Sequence, residues 1–346
     1  MSTHVGPNTR SQADRTGRRH GGLQQAATGL RAGVFGVLVV CALSMAGPAG
    51  ADRVTTAAQI HFGVQDQAMP FAYRRDDGHA GYTVEICQQV MAALEAHRGK
   101  PYANPPETRW VSVTPQTRLI RLLAGDIDLE CSSTSQTPAR TRLGLVFSLP
   151  IFVSDIGLLL RSPDGQVPAS AEQWLAQRPG RRVVVVTTEG ATSVRHLARL
   201  NSGPAGVRVD VVYGRDHADS LRRLLNREAD AFVMDRSLLA ARLATDERLR
   251  EAGAVLPDWS PVPDETEVYG LVMREADTDL QRIVQQVLCG LARPRDGGPP
   301  ALAQLHERWF KQPVPLPGGA TSTRPLGLAM HSELLPRLKS ASSACP

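Results

Sequence analysis

An α/β fold built on mostly parallel sheets is what this sequence predicts, and three observations carry the prediction. Short β-rich runs alternate with helix-periodic segments through most of the chain. One run, Val183-Val184-Val185-Val186, is continuous and β-branched, the mark of a strand buried on both faces. It ends in Thr187-Thr-Glu-Gly-Ala-Thr192-Ser193, a turn that leads into a helix and would place a ligand at the carboxyl end of a strand.

The elements follow in order. Gln59–Val64 reads as a first strand, and Gly81 opens a helix in which Ile86, Val90 and Leu94 recur at i, i+4, i+8. Arg109–Val113 is a strand, Gln116–Ala124 a short helix, and Gly125–Cys131 a turn entering a strand. After Val183–Val186 the turn leads to a helix reaching about Leu200. Strand Val207–Tyr213, helix Ala218–Asn226, strand Asp230–Met234 and helix Ser237–Ala244 continue the rhythm. Val268–Arg274 is strand-like, and helices Asp277–Leu291 and Ala301–Phe310 flank a Pro/Gly-rich loop. Residues 313–327 read as an extended wrap before a last helix at Glu333–Leu338. No internal repeat is present.

The chain has 346 residues, long enough for two lobes with their own cores, and its formal charge is +5. Aromatics make up 5%, too few for a base-stacking nucleic-acid platform. The positive charge is also misplaced for a polyanion partner. Residues 1–51 hold Arg10, Arg15, Arg18, Arg19 and Arg31 against the single acid Asp14. An apolar run, Ala32–Ala46, follows, and Ala49-Gly50-Ala51 supplies small residues at both positions of a signal-peptidase site. Basic, apolar and small-x-small parts in that order make a secretory signal. The run is shorter than the roughly 20 residues of a membrane span. Cys41 follows Val40 rather than a small residue, which argues against a lipid anchor. Cleavage after Ala51 would leave 295 residues, with the 39 basic side chains reduced to 34 and the 34 acids to 33. The exported protein is thus expected to be nearly neutral and periplasmic.

Cys87, Cys131, Cys289 and Cys345 survive that cleavage without C-x-x-C spacing, so neither a zinc site nor a redox motif is expected. One disulfide is compatible with export, but spacing assigns no pairing. Cys87 and Cys289, on amphipathic helices, read as small buried hydrophobes. No phosphate-binding or dinucleotide loop and no nucleophile elbow occurs. His306-Glu307 starts like a zinc-protease helix, but Phe310 stands where the second histidine belongs. The expectation is a protein without catalytic residues, metal or cofactor.

Several segments together resemble the extracellular solute-binding proteins of family 3, the polar amino-acid receptors of ABC importers, and most of all their glutamate/aspartate branch. They are Pro70-Phe71-x-Tyr73 with Gly81-Tyr82-x-x-Glu85, and Asp126-Ile-Asp-Leu-Glu-Cys131-Ser-Ser-Thr134 with Arg140 and Phe147-Ser-x-Pro-Ile-Phe152. Asp216-His217-x-Asp219-Ser220, Ala231-Phe-Val-Met-Asp235, Tyr269-Gly270 and Trp309-Phe-Lys-Gln-Pro-Val-Pro315 complete the set, which spans about residues 60–340 in order. The resemblance implies the two-lobed type II periplasmic-binding-protein fold, each lobe a mostly parallel sheet flanked by helices. Two hinge crossings would lie near Phe152–Leu160 and Val268–Arg274. Lobe one is expected at 52–155 plus 271–346, and lobe two at 156–270, behind the 1–51 signal peptide.

The resemblance also implies a site between the lobes. Arg140, with Ser133 seven residues before it, would take the ligand α-carboxylate, where a planar guanidinium meets both oxygens. Ser135 would touch carboxylate and ammonium. Thr192 would add its hydroxyl and helix N–H groups, unless it only caps the helix. Asp235 would bind the ammonium, or else cap the next helix. Arg118 and His217 would read the distal end of the ligand side chain. Gln65 stands where the branch has an arginine and Pro115 where it has a serine, which makes glutamine or asparagine credible beside glutamate or aspartate. Phe71 and Tyr73 are expected at the cleft, with Tyr73 alternatively in the core.

These features together imply a monomeric periplasmic receptor that captures an amino acid and delivers it to an inner-membrane ABC permease with its ATPase. The alternative is a cyclohexadienyl-dehydratase-like enzyme on the same scaffold. That chemistry needs a buried carboxylic acid of raised pKa facing the substrate, for which Glu130 and Glu189 are the candidates.

Overall fold

The computed structural model describes residues 57–98, 107–162, 164–177, 182–197, 208–262, 265–294, 297–317 and 320–322, with 326, 332, 334, 336, 337 and 345 in the tail. The expected signal peptide lies outside the described residues, as does most of the expected last helix.

The chain enters on β1 (Gln59–Gln65), then forms a small antiparallel sheet from β2 (Gln67–Ala68), β3 (Ala72–Arg75) and β4 (Gly78–Ala80) that sequence periodicity did not reveal. Gly81 follows with φ +137°, and a Cβ there would meet the Phe71 carbonyl at 2.2 Å, so only glycine fits this entry to the next helix. α1 (Tyr82–Arg98) buries Ile86, Val90 and Leu94 completely, the stripe that its spacing predicts. β5 (Glu107–Val113), α2 (Arg118–Ala124), β6 (Leu129–Glu130), α3 (Pro138–Thr141) and β7 (Leu145–Phe147) follow.

β8 (Phe152–Arg161) carries the chain into a second sheet, which adds α4 (Ala171–Ala176), β9 (Arg182–Thr188), β10 (Arg208–Gly214), α5 (His217–Leu225) and β11 (Ala231–Asp235). α6 (Arg236–Thr245), α7 (Glu247–Glu251) and β12 (Ala254–Val255) lead to β13 (Thr266–Tyr269), which carries the chain back. β14 (Val272–Arg274), α8 (Thr278–Ala292) and α9 (Ala301–Phe310) follow. The strand-like stretch Val268–Arg274 is therefore two strands parted at Gly270-Leu271.

Strand order in the first sheet is β5-β1-β6-β14-β7, and in the second β10-β9-β11-β8-β12 with β13 on β8. Pairings β5–β1–β6 and β10–β9–β11 are parallel, while the strands that cross between the sheets pair antiparallel. The first half of β8 pairs with β13, from Phe152 opposite Tyr269 to Asp155 opposite Thr266, and its second half joins β11. Two chain crossings thus run side by side as one ladder. This is the type II periplasmic-binding-protein architecture. Among the described residues no helix is long and apolar enough to cross a membrane.

Aromatic packing anchors the crossings. Phe71, Tyr82, Phe152, Tyr269 and Phe310 are all buried, with ring centroids 4.8 Å apart for Phe71–Phe152 and Phe152–Phe310 and 5.0 Å for Phe71–Tyr269. His306 stacks on Phe152 and Phe310, which is the structural use of the His-Glu pair noted in the sequence. Phe71 and Tyr73 belong to this core. Tyr73 donates its hydroxyl to the Pro315 carbonyl at 2.6 Å and takes the core place that was its alternative, while Phe71 is in the core and not at the cleft as expected. The cysteines also correct the sequence reading. Cys87 is bonded to Cys131 and Cys289 to Cys345, two disulfides rather than free buried thiols.

Candidate functional site

The carboxyl ends of the strands of both sheets converge on one small cavity, lined by Gln65, Pro115, Arg118, Ser133, Ser135, Ala191, Thr192, His217, Met234, Asp235 and Leu238. Gln65 ends β1, Arg118 starts α2, Ser133 and Ser135 follow β6, Thr192 follows β9, His217 starts α5 and Asp235 ends β11. Seven of the eight expected ligand residues therefore share this wall. The eighth, Arg140, lies just behind it. Thr137 caps α3 by accepting from the Arg140 N–H at 3.2 Å, and the Arg140 Nη1 donates to the Ser135 carbonyl at 2.6 Å.

The cleft between the two sheets is closed. Arg242 Nη2 donates to the Gln67 carbonyl at 2.6 Å, the Ala218 N–H to Gln67 Oε1 at 3.2 Å, and the Gln116 amide to the Arg215 carbonyl. The hydroxyls of Ser135 and Thr192 meet across it at 3.4 Å.

Capping does not account for these side chains. Asp235 occupies the N-cap of α6 without a cap hydrogen bond, and its Oδ2 accepts from the Tyr269 hydroxyl instead. Asp216, not His217, caps α5, and Ala191 precedes Thr192 at the cap of the next turn. The helix opens as a 3-10 turn, Thr192–His196, with Leu197 helical after it, and the expected continuation to about Leu200 lies outside the described residues.

Charges are desolvated in two opposed groups. Arg118 and Arg140 are both buried. Burial lowers the Arg118 pKa; burial and then the neighbouring Arg118 charge push Arg140 down to about 9. Two guanidinium groups are thus held out of water close enough to repel one another. Arg118 spends its Nε on the Thr134 hydroxyl at 2.8 Å and its Nη1 on the Pro115 carbonyl at 2.5 Å. Asp235 shows the opposite: burial and then the charge of Glu267 push its carboxyl up to about 7, against the lowering effect of the Tyr269 hydroxyl. A buried acid so perturbed, on a cavity wall, marks a candidate functional site.

His217 is buried and pushed down to about 3, first by burial and then by the charges of Arg242 and Arg118. Its Nδ1 lies 3.0 Å from the Thr188 hydroxyl. It therefore works as a neutral hydrogen-bonding imidazole, not as the cation that an acidic ligand would favour most. The Gln65 N–H donates to the Ser132 hydroxyl at 2.9 Å, while its side-chain Oε1 is buried without a partner. Glu130 is completely buried with neither oxygen hydrogen-bonded, but it is not on the cavity wall; Glu189 is exposed.

Sequence reasoning missed Ala191, Met234 and Leu238, which adjoin expected residues in the chain or one helical turn on. It also missed Glu267 and Tyr269, on β13. Only the Tyr269-Gly270 pair gave any signal there.

Residues 60–312 match the bacterial extracellular solute-binding proteins, family 3. The glutamate/aspartate import solute-binding protein of Escherichia coli (strain K12) is 26% identical over 292 residues, covering 83% of this chain and 85% of that protein. The L-glutamate/L-aspartate-binding protein of Pseudomonas aeruginosa is 27% identical over 272 residues, covering 77% and 81%. Among solved structures, a mutant of the arginine-binding protein from T. maritima superposes with a TM-score of 0.57 at 22% identity, covering 74% of this chain and 96% of that one. An ancestral amino acid-binding protein, a precursor of cyclohexadienyl dehydratase, gives 0.55 at 19% identity, covering 73% and 96%.

Proposed function

This chain belongs to the bacterial extracellular solute-binding proteins of family 3, and from that premise we propose that it captures glutamate or aspartate in the periplasm for an ABC importer. The observation that carries the reading is the opposition of buried charges on and just behind the cavity wall. Arg140 and Arg118 offer two sites for carboxylates, and Asp235 offers one for an ammonium. An acidic amino acid presents those three groups, and each needs a partner once the cleft expels water. Arg140 with Ser133, Ser135 and Thr192 holds the α-carboxylate. Arg118, His217 and Gln65 hold the side chain. The names of the bacterial relatives agree with this ligand class.

Lobe one comprises 52–155 plus 271–346, and lobe two 156–270. The protein is made with a signal peptide cut after Ala51 and acts as a monomer. It hands its ligand to an inner-membrane permease and ATPase when the lobes part about β8 and β13.

A thermal-shift screen against the proteinogenic amino acids and small dicarboxylates tests the reading. A ligand at 100 times its dissociation constant adds about 2.7 kcal/mol of stability. Glutamate and aspartate are expected to raise the melt most. A melt unmoved by every amino acid would overturn the reading, and a larger shift with glutamine or asparagine would move the specificity to the amides through Gln65. The dehydratase alternative has weaker support, since Glu189 is exposed and Glu130 is off the cavity wall. Product formed from prephenate or arogenate would reinstate it.

A further inference from the structure

Tyr269 has no part in the ligand set above, yet it is completely buried on the crossing strand β13 and touches two residues of the cavity wall. Its backbone forms an isolated antiparallel bridge with Ser135. Flanking hydrogen bonds hold that bridge: the Gln136 N–H donates to the Val268 carbonyl at 2.8 Å, and the Gly270 N–H to the Thr134 carbonyl at 3.2 Å. The Tyr269 hydroxyl donates to Asp235 Oδ2 at the end of β11. Ser135 and Asp235 line the cavity, and Tyr269 stands behind them. Two residues earlier on the same strand, Glu267 Oε1 accepts from Arg195 Nη2 at 3.0 Å and His196 Nε2 at 3.1 Å, which ties β13 to the turn that carries Thr192.

Packing fixes where the Tyr269 hydroxyl can be. The ring meets Phe71 edge-on at 5.0 Å and stacks on Phe152 at 5.8 Å, while its backbone pairs with Phe152 on β8. Asp235 has no such restraint of its own. It stands at the N-cap of α6 without a cap hydrogen bond, so no N–H of that helix orients its carboxylate.

We propose that Tyr269 is a positioning residue of the ammonium subsite: its hydroxyl holds Asp235 Oδ2 and so turns Oδ1 to the cavity, where the ligand ammonium is received. The inference rests on the amino-acid reading above. A hydroxyl donating to a carboxylate makes a charge-assisted bond, directional enough to choose one orientation of the group. It also satisfies one oxygen of a buried acid and keeps the other for the ligand. Ser135, expected to touch both carboxylate and ammonium, is placed by the backbone of the same residue. The ammonium's two expected partners therefore hang from one position of the crossing strand, and their spacing does not depend on how separate elements happen to pack.

Tyr269→Phe removes the hydroxyl and keeps the ring contacts. Two ligands separate aim from folding: glutamate, and glutarate, which has both carboxylates but no ammonium. In calorimetry the variant is expected to lose about tenfold in glutamate affinity. The thermal shift from millimolar glutarate should match that of wild type. Unchanged glutamate affinity would overturn the proposal, and so would an equal loss for both ligands, the result of a merely structural role. Should wild type take no glutarate, the glutamate affinity and a ligand-free measurement still decide. The latter is carbon-13 NMR of the tyrosine ring carbon that bears the hydroxyl, with five tyrosines in the chain. Asp235→Asn should displace one signal, the one that Tyr269→Phe removes. No displaced signal would sink the proposal even if Tyr269→Phe fails to fold. A displaced signal in a protein that binds no amino acid would strike out the ligand reading and leave the Tyr269–Asp235 link standing.

Discussion

At the scale of single residues, the proposed reading puts the choice of ligand on Asp235 and Gln65. Removing one partner of a desolvated ion pair costs roughly 3–5 kcal/mol, because the other charge stays buried and unmatched. Asp235→Ala is therefore expected to fold but to lose that much amino-acid affinity. Titration calorimetry beside circular dichroism separates the two effects, and an unchanged affinity would remove Asp235 from the site. Gln65→Arg places a second cation near Arg118 and should shift the glutamate-to-glutamine affinity ratio by about tenfold, or about 1.4 kcal/mol, toward the acid. Competition binding reads that ratio directly, and no shift would mean that position 65 does not touch the ligand side chain. The expected site residues were legible because each stands in a recognisable segment of the sequence. Glu267 was not, since nothing in Thr266-Glu-Val-Tyr269 distinguishes a buried acid from the solvent-facing residue of an alternating strand. Its burial comes from a long-range pairing, Glu267 opposite Ser154, that no local pattern encodes.

Turns and links between elements set how well the cleft closes. Gly190 has φ +76°, and a Cβ there would lie 2.7 Å from the Pro115 carbonyl on the opposite side of the cleft. Gly125, the C-cap of α2, has φ +84° with nothing within 4 Å of the corresponding point. Replacing either by alanine imposes similar backbone strain, of about 1 kcal/mol. Only Gly190→Ala adds a clash, and that clash exists only when the cleft is shut. Both variants should lose similar stability in urea, while Gly190→Ala alone loses more than about tenfold in ligand affinity. Equal affinities would show that the closed arrangement is not the binding form. The Cys87–Cys131 disulfide ties α1 to the residue just before Ser132 and Ser133, at a sequence separation of 44. Opening a loop of that length costs about 4 kcal/mol in the chain-entropy account, so Cys87→Ser with Cys131→Ser should lower the urea midpoint strongly. An unchanged midpoint would mean that the link only decorates a stable core. The regular elements were legible from hydrophobic period, as α1 shows. The β2–β4 sheet and the break at Gly270-Leu271 were not, because two- to four-residue strands carry too few alternations to register.

Across the whole molecule, the buried titratable groups set how stability responds to acid. His217 titrates at about 6.5 when unfolded but at about 3 in the native protein, where burial disfavours the imidazolium. A histidine with a lowered native pKa contributes stability that is complete above the unfolded value. That stability is lost as pH falls toward the native one, at about 1.4 kcal/mol per pH unit. His306, pushed down to about 4 mainly by burial, slopes the same way. Asp235 and Glu130 slope the other way, because their raised native pKa values favour folding as the medium becomes acidic. The net acid limb is thus shallower than the two histidines alone would make it, and the absolute curve does not isolate any one group. A difference between variants does. His217→Gln keeps a polar side chain but cannot take up the proton, so its urea-unfolding free energy should fall with acid less steeply than that of wild type. The gap between the two proteins should change by about 1.4 kcal/mol for each pH unit between about 6.5 and about 4, with wild type gaining on the variant as pH rises. Parallel curves over that window would show that His217 is hydrated or charged in the native state. Its place as a neutral hydrogen-bonding wall of the cavity would then have to be given up.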